Sequence, residues 1–166
     1  SNYNLKNRNE ILSILPNGHE NMEYFLSSCY WGFTYFPHSN DITEFECKKL
    51  LKETNIKLIL ISNLINPKIK KLIYNSGINY ININEIDIRK NKYKYKNQSA
   101  INSNSSLLIV NSSGTTGDPK KIIIDIDRLW SSAKNFTSNY KFLNSKNTFF
   151  NILPMSYLGG LFNLGL

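Results

Sequence analysis

Cysteine, histidine and long apolar runs are all scarce in this sequence, and each scarcity removes a class of protein. The two cysteines, Cys29 and Cys47, stand apart from each other and from any Cys/His pattern, so neither a disulfide framework nor a structural zinc site is expected. Cys29 falls within an apolar helical spacing and reads as a buried thiol, for which a reducing cytoplasm is the expected compartment. His19 and His38 lie in loop-like surroundings with no second ligand or nucleophile nearby, and both read as surface residues. No apolar stretch approaches the roughly 20 residues that a membrane-crossing helix needs. The first residues do not have the pattern of a signal peptide, and no internal repeat is visible.

Acidic residues are also in the minority, 12 against 20 Lys and Arg, which leaves a formal charge of +8. Such a surplus raises the question of a nucleic-acid partner. Most of the lysines are dispersed among Asn and Ile, however; the one cluster, Arg89 to Lys96, alternates Lys with Tyr, which could offer charge and stacking to a single strand, but a charge run of this kind reads first as a solvated strand or loop. No nucleic acid is expected as a partner; the positive field would instead favour anionic ligands. With 41% hydrophobic and 19% charged residues in 166, the chain has the composition of one folded domain.

Taken in order, the chain alternates two kinds of pattern. Ile11 to Leu15 is a short apolar run closed by Pro16-Asn17-Gly18, a buried strand and a turn. Met22, Phe25, Leu26, Cys29 and Tyr30 recur at helical spacing, with Gly32 as the stop. Phe33 to Phe36 is a β-type run ended by Pro37. Thr43 and Glu46 have capping-box spacing and start a helix through about Thr54. Ile56 to Ile61 is apolar almost throughout, as in strands buried on both faces. Asn66-Pro67 opens another helix that Gly77 closes, and Ile78 to Ile83 is the next strand. This order predicts βαβ units over 1–83 and a largely parallel sheet flanked by helices. Residues 84–105 form a polar connector, with Gln98 to Ser106 its most exposed part. Beyond it, Asp127 caps a helix carrying Leu129, Trp130, Ala133 and Phe136, and Thr148 to Leu153 is a further strand. Pro154 to Gly160 leaves that strand as a loop, in the place where open α/β sheets bind ligands.

One stretch stands out from this background. Ser112-Ser113-Gly114-Thr115-Thr116-Gly117-Asp118-Pro119-Lys120 lies between two apolar runs, Leu107 to Val110 and Ile122 to Ile124. Gly114 and Gly117 let successive N–H groups turn toward one anion. The hydroxyls of Ser112, Ser113, Thr115 and Thr116 add donors without bulk, and Lys120 adds a mobile positive charge. Pro119 stiffens the exit. These residues make a polyphosphate cradle. It is not a Walker loop, because Asp118-Pro119 separates Gly117 from Lys120 and a strand-like run follows in place of a helix.

Ser112 to Lys120 resembles the signature loop of the acyl-adenylate-forming superfamily, Thr-Ser-Gly-Thr-Thr-Gly-x-Pro-Lys-Gly, with Ser112 for the first Thr and Lys121 for the last Gly. Leu153 to Leu161 resembles the family's Leu-Pro-x-Phe-His-x-x-Gly segment, which lines the acyl pocket. Leu15-Pro16-Asn17 through Pro37 is similar to the family's opening segment. All three fall in the family's order and at about its spacing.

The resemblance implies part of the large N-terminal domain of such an enzyme, with 106–166 holding the phosphate loop and the start of an acyl pocket. It implies a ligase that activates a carboxylic acid with ATP and magnesium and passes the acyl group to a thiol, of coenzyme A or of an acyl carrier protein. Ser112, Ser113, Gly114, Thr115, Thr116, Gly117 and Lys120 match the positions that hold the ATP phosphates; Tyr157, Gly159 and Gly160 match the acyl segment. Tyr157 stands where coenzyme A ligases carry His; a packed aromatic is the alternative reading. Gly159 and Gly160 allow close approach of a ligand or cap a loop. No acid lies between Asn151 and Leu166, which disfavours the amino-acid-adenylating branch. The family's adenine-binding motif with its magnesium-binding Glu, and its C-terminal domain, would fall after residue 166. No catalytic residue is therefore assigned within the chain, and the chain is expected to be inactive alone. A non-catalytic nucleotide-binding or scaffold module is the rival class.

Overall fold

The computed structural model describes residues 6, 8–53, 55–86, 107–112, 120–140, 146, 148 and 150–164. Continuous apolar strands need cover on both faces, and the fold provides it for the central strands, while the edge strand at 120–125 leaves Ile122 and Ile123 exposed. Strands β1 (Glu10–Leu15), β2 (Thr34–Ser39), β3 (Ile56–Ile61), β4 (Tyr80–Asn82), β5 (Leu107–Ser112) and β6 (Lys120–Asp125) form one sheet in the order β4-β3-β1-β2-β5-β6. Every neighbouring pair is parallel except β5 and β6, which form an antiparallel hairpin.

The chain moves one way across the sheet from β1 to β2 and the other way from β2 to β3. Right-handed crossovers then place the two connecting helices on opposite faces. Helix α1 (His19–Trp31) packs on one face, joined by α4 (Ile126–Asn139) and α5 (Leu158–Leu164). There Phe25, Cys29, Ile126, Leu129 and Leu161 meet Ile11, Leu15, Tyr35, Leu108 and Val110. Helices α2 (Glu44–Glu53) and α3 (Pro67–Asn75) cover the other face. There Cys47, Leu50, Ile69 and Ile73 meet Leu12, Ile14, Phe36, Ile59, Ile61 and Ile109. The alternation of Ile11 and Leu15 with Leu12 and Ile14 is the period-2 pattern of a strand buried on both sides. Cys29 is buried as expected, and burial pushes its thiol up to about 12.

Helix ends follow their local chemistry. Gly32 caps α1 in the left-handed region at φ 74°. Thr43 and Glu46 form the capping box: the Thr43 amide donates to the Glu46 carboxylate at 2.9 Å, and the Glu46 amide donates to the Thr43 hydroxyl at 3.2 Å. Asn66 caps α3 by accepting from the Lys68 amide at 2.9 Å, with Pro67 at the first helical position.

Four local expectations are corrected. The helix after β6 is capped by Asp125, whose carboxylate accepts from the Asp127 amide at 3.0 Å, so Asp127 lies inside the first turn. Strand β4 stops at Asn82, where a single 3-10 turn over Ile83–Glu85 begins, because the Asn82 side chain accepts from the Asn84 amide. The segment expected as a strand over 148–153 is irregular at its described positions. Asn151 turns it by accepting from the Leu153 amide at 3.1 Å, and Phe150 and Ile152 remain exposed. Pro37 does not end β2, which continues to Ser39. Having no N–H to give, Pro37 coincides with the loss of pairing to β5, which stops at Tyr35, while pairing to β1 runs on. The connector over 87–105 lies outside the described residues.

His38 is therefore a strand residue and part-buried, not a surface one. Burial lowers its pKa below the ordinary value of 6.5, against an opposing pull from Glu46. A folded pKa below the unfolded one means that the unfolded chain binds more protons, so stability falls as pH drops through 6.5 toward the folded value. Glu46, held low mainly by the Thr43 hydroxyl, loses its contribution only below about 4.5. Thermal unfolding between pH 7.5 and 5.5 should accordingly show a falling midpoint that His38→Gln flattens. A slope that survives the substitution would place the titrating group elsewhere.

Candidate functional site

The carboxyl ends of β1, β2 and β5 share one edge of the sheet, because these strands are parallel. Three segments meet along it. The first is the base of the Ser/Gly/Thr loop: Ser112, the last residue of β5, pairs with Lys120, the first of β6. The hairpin thus holds both ends of the loop opposite one another, with Lys120 exposed. Ser113, Gly114, Thr115, Thr116 and Gly117 lie outside the described residues. The next residue, Lys121, sends its ammonium over the Phe36 ring, 5.7 Å from the centroid, a favourable cation–aromatic contact.

The second segment is 153–160. The Met155 amide donates to the Asn17 side chain at 2.9 Å, a bond between residues 138 apart in sequence. The Asn151 carboxamide donates to the Gly160 carbonyl at 2.9 Å. Tyr157 closes a turn, donating its amide to the Pro154 carbonyl at 3.1 Å and accepting from the Leu161 amide at 3.3 Å. Tyr157 is 55% exposed. Gly159 and Gly160 belong to α5, not to a loop. A Cβ on Gly160 would collide with the Pro154 carbonyl, and its approach to the Leu153 carbonyl oxygen would be 2.8 Å.

The third segment follows β1 and opens α1. Asn21, inside that helix, is buried; its side-chain oxygen accepts from the Tyr35 hydroxyl at 2.5 Å and from the Ser13 hydroxyl at 3.5 Å. Burial holds the Tyr35 pKa above its ordinary value, against a lowering by Ser13, so the hydroxyl stays a donor. This buried polar group was missed in the sequence. The one available signal was an Asn in the first turn of an apolar helix. Between Asn17, Asn21, the Ser39-Asn40-Asp41 turn and the loop at Pro154 to Ser156 lies a cleft of about 250 Å³. Neither Tyr157 nor Gly159 nor Gly160 lines it.

Among the described residues no group of three His, Cys, Asp or Glu is placed to hold a metal ion, and no helix is long and apolar enough to cross a membrane.

Solved structures share this fold. A long-chain-fatty-acid–CoA ligase from Archaeoglobus fulgidus superposes with a TM-score of 0.79 at 16% identity, over 97% of this chain and 34% of that one. ATP-bound MatB from Rhodopseudomonas palustris gives 0.80 at 17%, over 98% and 33%. The o-succinylbenzoate coenzyme A synthetase of Bacillus subtilis, in complex with AMP, gives 0.74 at 17%, over 96% and 40%. The chain thus spans a third to two fifths of the length of these structures. A sequence search of curated proteins found no significant match. The sequence pattern of the AMP-binding enzymes matches residues 2–165. That match covers the Ser112 to Lys120 stretch, the 153–160 segment and every strand of the sheet, and the chain belongs to the AMP-binding enzyme family.

Proposed function

We propose that the chain is part of an ATP-dependent acyl-adenylate-forming ligase. The observation that carries this reading is the Ser112–Lys120 pair, which closes a Ser/Gly/Thr loop on the same sheet edge as the 153–160 segment. In the proposed reaction a carboxylate oxygen attacks the α-phosphate of ATP. The bond to the β-phosphate oxygen breaks, pyrophosphate leaves, and an acyl-adenylate remains. A thiol, from coenzyme A or from the pantetheine of an acyl carrier protein, then takes the acyl group and releases AMP.

Charge neutralisation and positioning dominate such chemistry. The loop hydroxyls and amides of Ser112 to Gly117, with the Lys120 ammonium, would hold the β- and γ-phosphates. Their donor chemistry fits a polyphosphate: hydroxyls, amides and one cation, at an exposed strand end. Magnesium would supply further neutralisation of the phosphates; no residue of the chain is assigned to it. Tyr157, exposed at the start of α5 beside Gly159 and Gly160, would face the acyl group.

Acid-dependent ATP–pyrophosphate exchange tests this reading. The chain and the full-length product of its reading frame are assayed with fatty, aryl and amino acids. Exchange by the full-length product with one acid class, and none by the 166-residue chain, is the expected result. MgATP binding without exchange by either would favour a non-catalytic nucleotide-binding module. Neither binding nor exchange would remove the cradle.

A further inference from the structure

The chain from residue 150 to 157 is irregular, so contacts and not strand pairing must fix both its shape and its place. Two asparagines divide that task. Asn151 sets the shape: its side-chain oxygen accepts from the Leu153 amide at 3.1 Å, and its carboxamide N–H donates to the Gly160 carbonyl at 2.9 Å. Both partners lie within nine residues, so neither bond relates the turn to the sheet. Asn17 sets the place. Its side-chain oxygen accepts from the Met155 amide at 2.9 Å, across 138 residues of sequence.

Asn17 is a rigid point of reference. It follows directly from β1, a central strand paired with β2 on one side and β3 on the other. Ser112, at the base of the loop that ends at Lys120, belongs to β5, which pairs with β2. One sheet therefore carries both the loop and the acceptor that holds the 153–160 turn, and the Asn17 bond sets the spacing between them. Tyr157 lies two residues beyond Met155, donates its amide to the Pro154 carbonyl at 3.1 Å, and leads directly into α5. Met155 has a second anchor, because its side chain is buried in the same core cluster as Leu15 and Leu161. Loss of the Asn17 oxygen would thus loosen the turn without releasing it. A small shift is enough to matter: reacting atoms must approach to about 3–3.5 Å, and a misplacement of about 1 Å costs far more in rate than one hydrogen bond.

We propose that Asn17 is a positioning residue for the acid, holding the 153–160 turn, and Tyr157 with it, at the distance from the phosphate loop that the carboxylate must bridge. This role rests on the adenylation reading of the sheet edge and assigns Asn17 no contact with either substrate; it acts through the Met155 amide.

The test is acid-dependent ATP–pyrophosphate exchange by the full-length protein, with KM measured separately for MgATP and for the acid that the unsubstituted protein uses best. Asn17→Ala should raise the KM for the acid about fivefold, the scale of one hydrogen bond, and leave the KM for MgATP within about twofold. Asn17→Asp keeps an acceptor oxygen for the Met155 amide and should restore the KM for the acid. Asn17→Ser suits the turn after β1 but sets its oxygen one bond short of the amide; it takes the place of Asn17→Ala if that variant does not fold. Asn66→Ala removes the cap of α3, on the other face of the sheet, at a similar cost in stability, and should change neither KM. A purely structural role for Asn17 would lower kcat alone, as the folded fraction falls, or raise both KM values together. Either result overturns the proposal, as does an acid KM that Asn17→Asp fails to restore. No exchange by the unsubstituted protein with any acid would remove the adenylation reading and the positioning role with it. Exchange by that protein, with an unchanged acid KM in Asn17→Ala, would remove the positioning role alone.

Discussion

Lys120→Ala is expected to lower acid-dependent ATP–pyrophosphate exchange by the full-length protein about 100-fold, the scale seen when one positioned donor to a reacting phosphate or oxyanion is removed. The neighbouring Lys121→Ala should change exchange less than about threefold. The two lysines are adjacent in β6, and successive residues of a strand point to opposite faces. Lys120 stands opposite Ser112 at the mouth of the cradle. Lys121 lies over the Phe36 ring, on the sheet face covered by α2 and α3. Losing it removes a cation–aromatic contact of about 0.5–1 kcal/mol, a stability effect and not a nucleotide effect. The pair separates two explanations of any phosphate affinity. A positioned cation predicts the asymmetry; a diffuse positive field predicts equal losses that shrink together as salt is raised. Equal losses would assign phosphate attraction to the chain's +8 charge and leave Lys120 without a special part.

The features legible in the sequence are those whose cause is local. The apolar runs of β1 and β3, the Thr43–Glu46 box, the Asn66-Pro67 start and the Gly32 stop are each decided within a few residues, and each appears where expected. The features that escaped depend on distant partners. Pro37 is tolerated within β2 because the side that lacks its donor is the side where β5 has already separated, which no local pattern reveals. The apolar stretch at 148–153 has strand composition, but Asn151 finds Gly160 nine residues on, and the chain turns instead. Of the candidate site, the motif residues were readable as chemistry. Their surroundings were not: the Asn17–Met155 bond joins residues 138 apart, and the Asn40 carboxamide is held by the Leu64 carbonyl, 24 residues on. His38 illustrates the same point. Its position after Pro37 reads as loop, and only the parallel pairing with Ile14 makes it a strand residue.

Gly160→Ala should lower the thermal midpoint by about 2–10 °C, the overpacking cost less the helix-propensity gain, while Gly159→Ala should leave it nearly unchanged. The two glycines are neighbours in α5, so helix propensity favours alanine at both by roughly 0.5–1 kcal/mol. What differs is the space beside them. A methyl at Gly159 would meet the far end of the Leu153 side chain at 3.0 Å, which can rotate away. At Gly160 it would meet the Pro154 carbonyl and, at 2.8 Å, the Leu153 carbonyl oxygen. Backbone cannot rotate away, so α5 must lift from the loop. That movement strains the Asn151–Gly160 and Met155–Asn17 bonds that close the sheet edge. Overpacking of this kind costs about 1–3 kcal/mol, occasionally more, and each kcal/mol moves the midpoint of a domain this size about 2–4 °C. The outcome bears on function as well as packing. If Gly160 is small so that its own chain can approach, the midpoint falls in the absence of any substrate. If it is small so that an acyl group can approach, the midpoint holds and only exchange with the larger acids is lost. The contact with Pro154 favours the first, and a variant with an unchanged midpoint would return Gly160 to the acyl pocket.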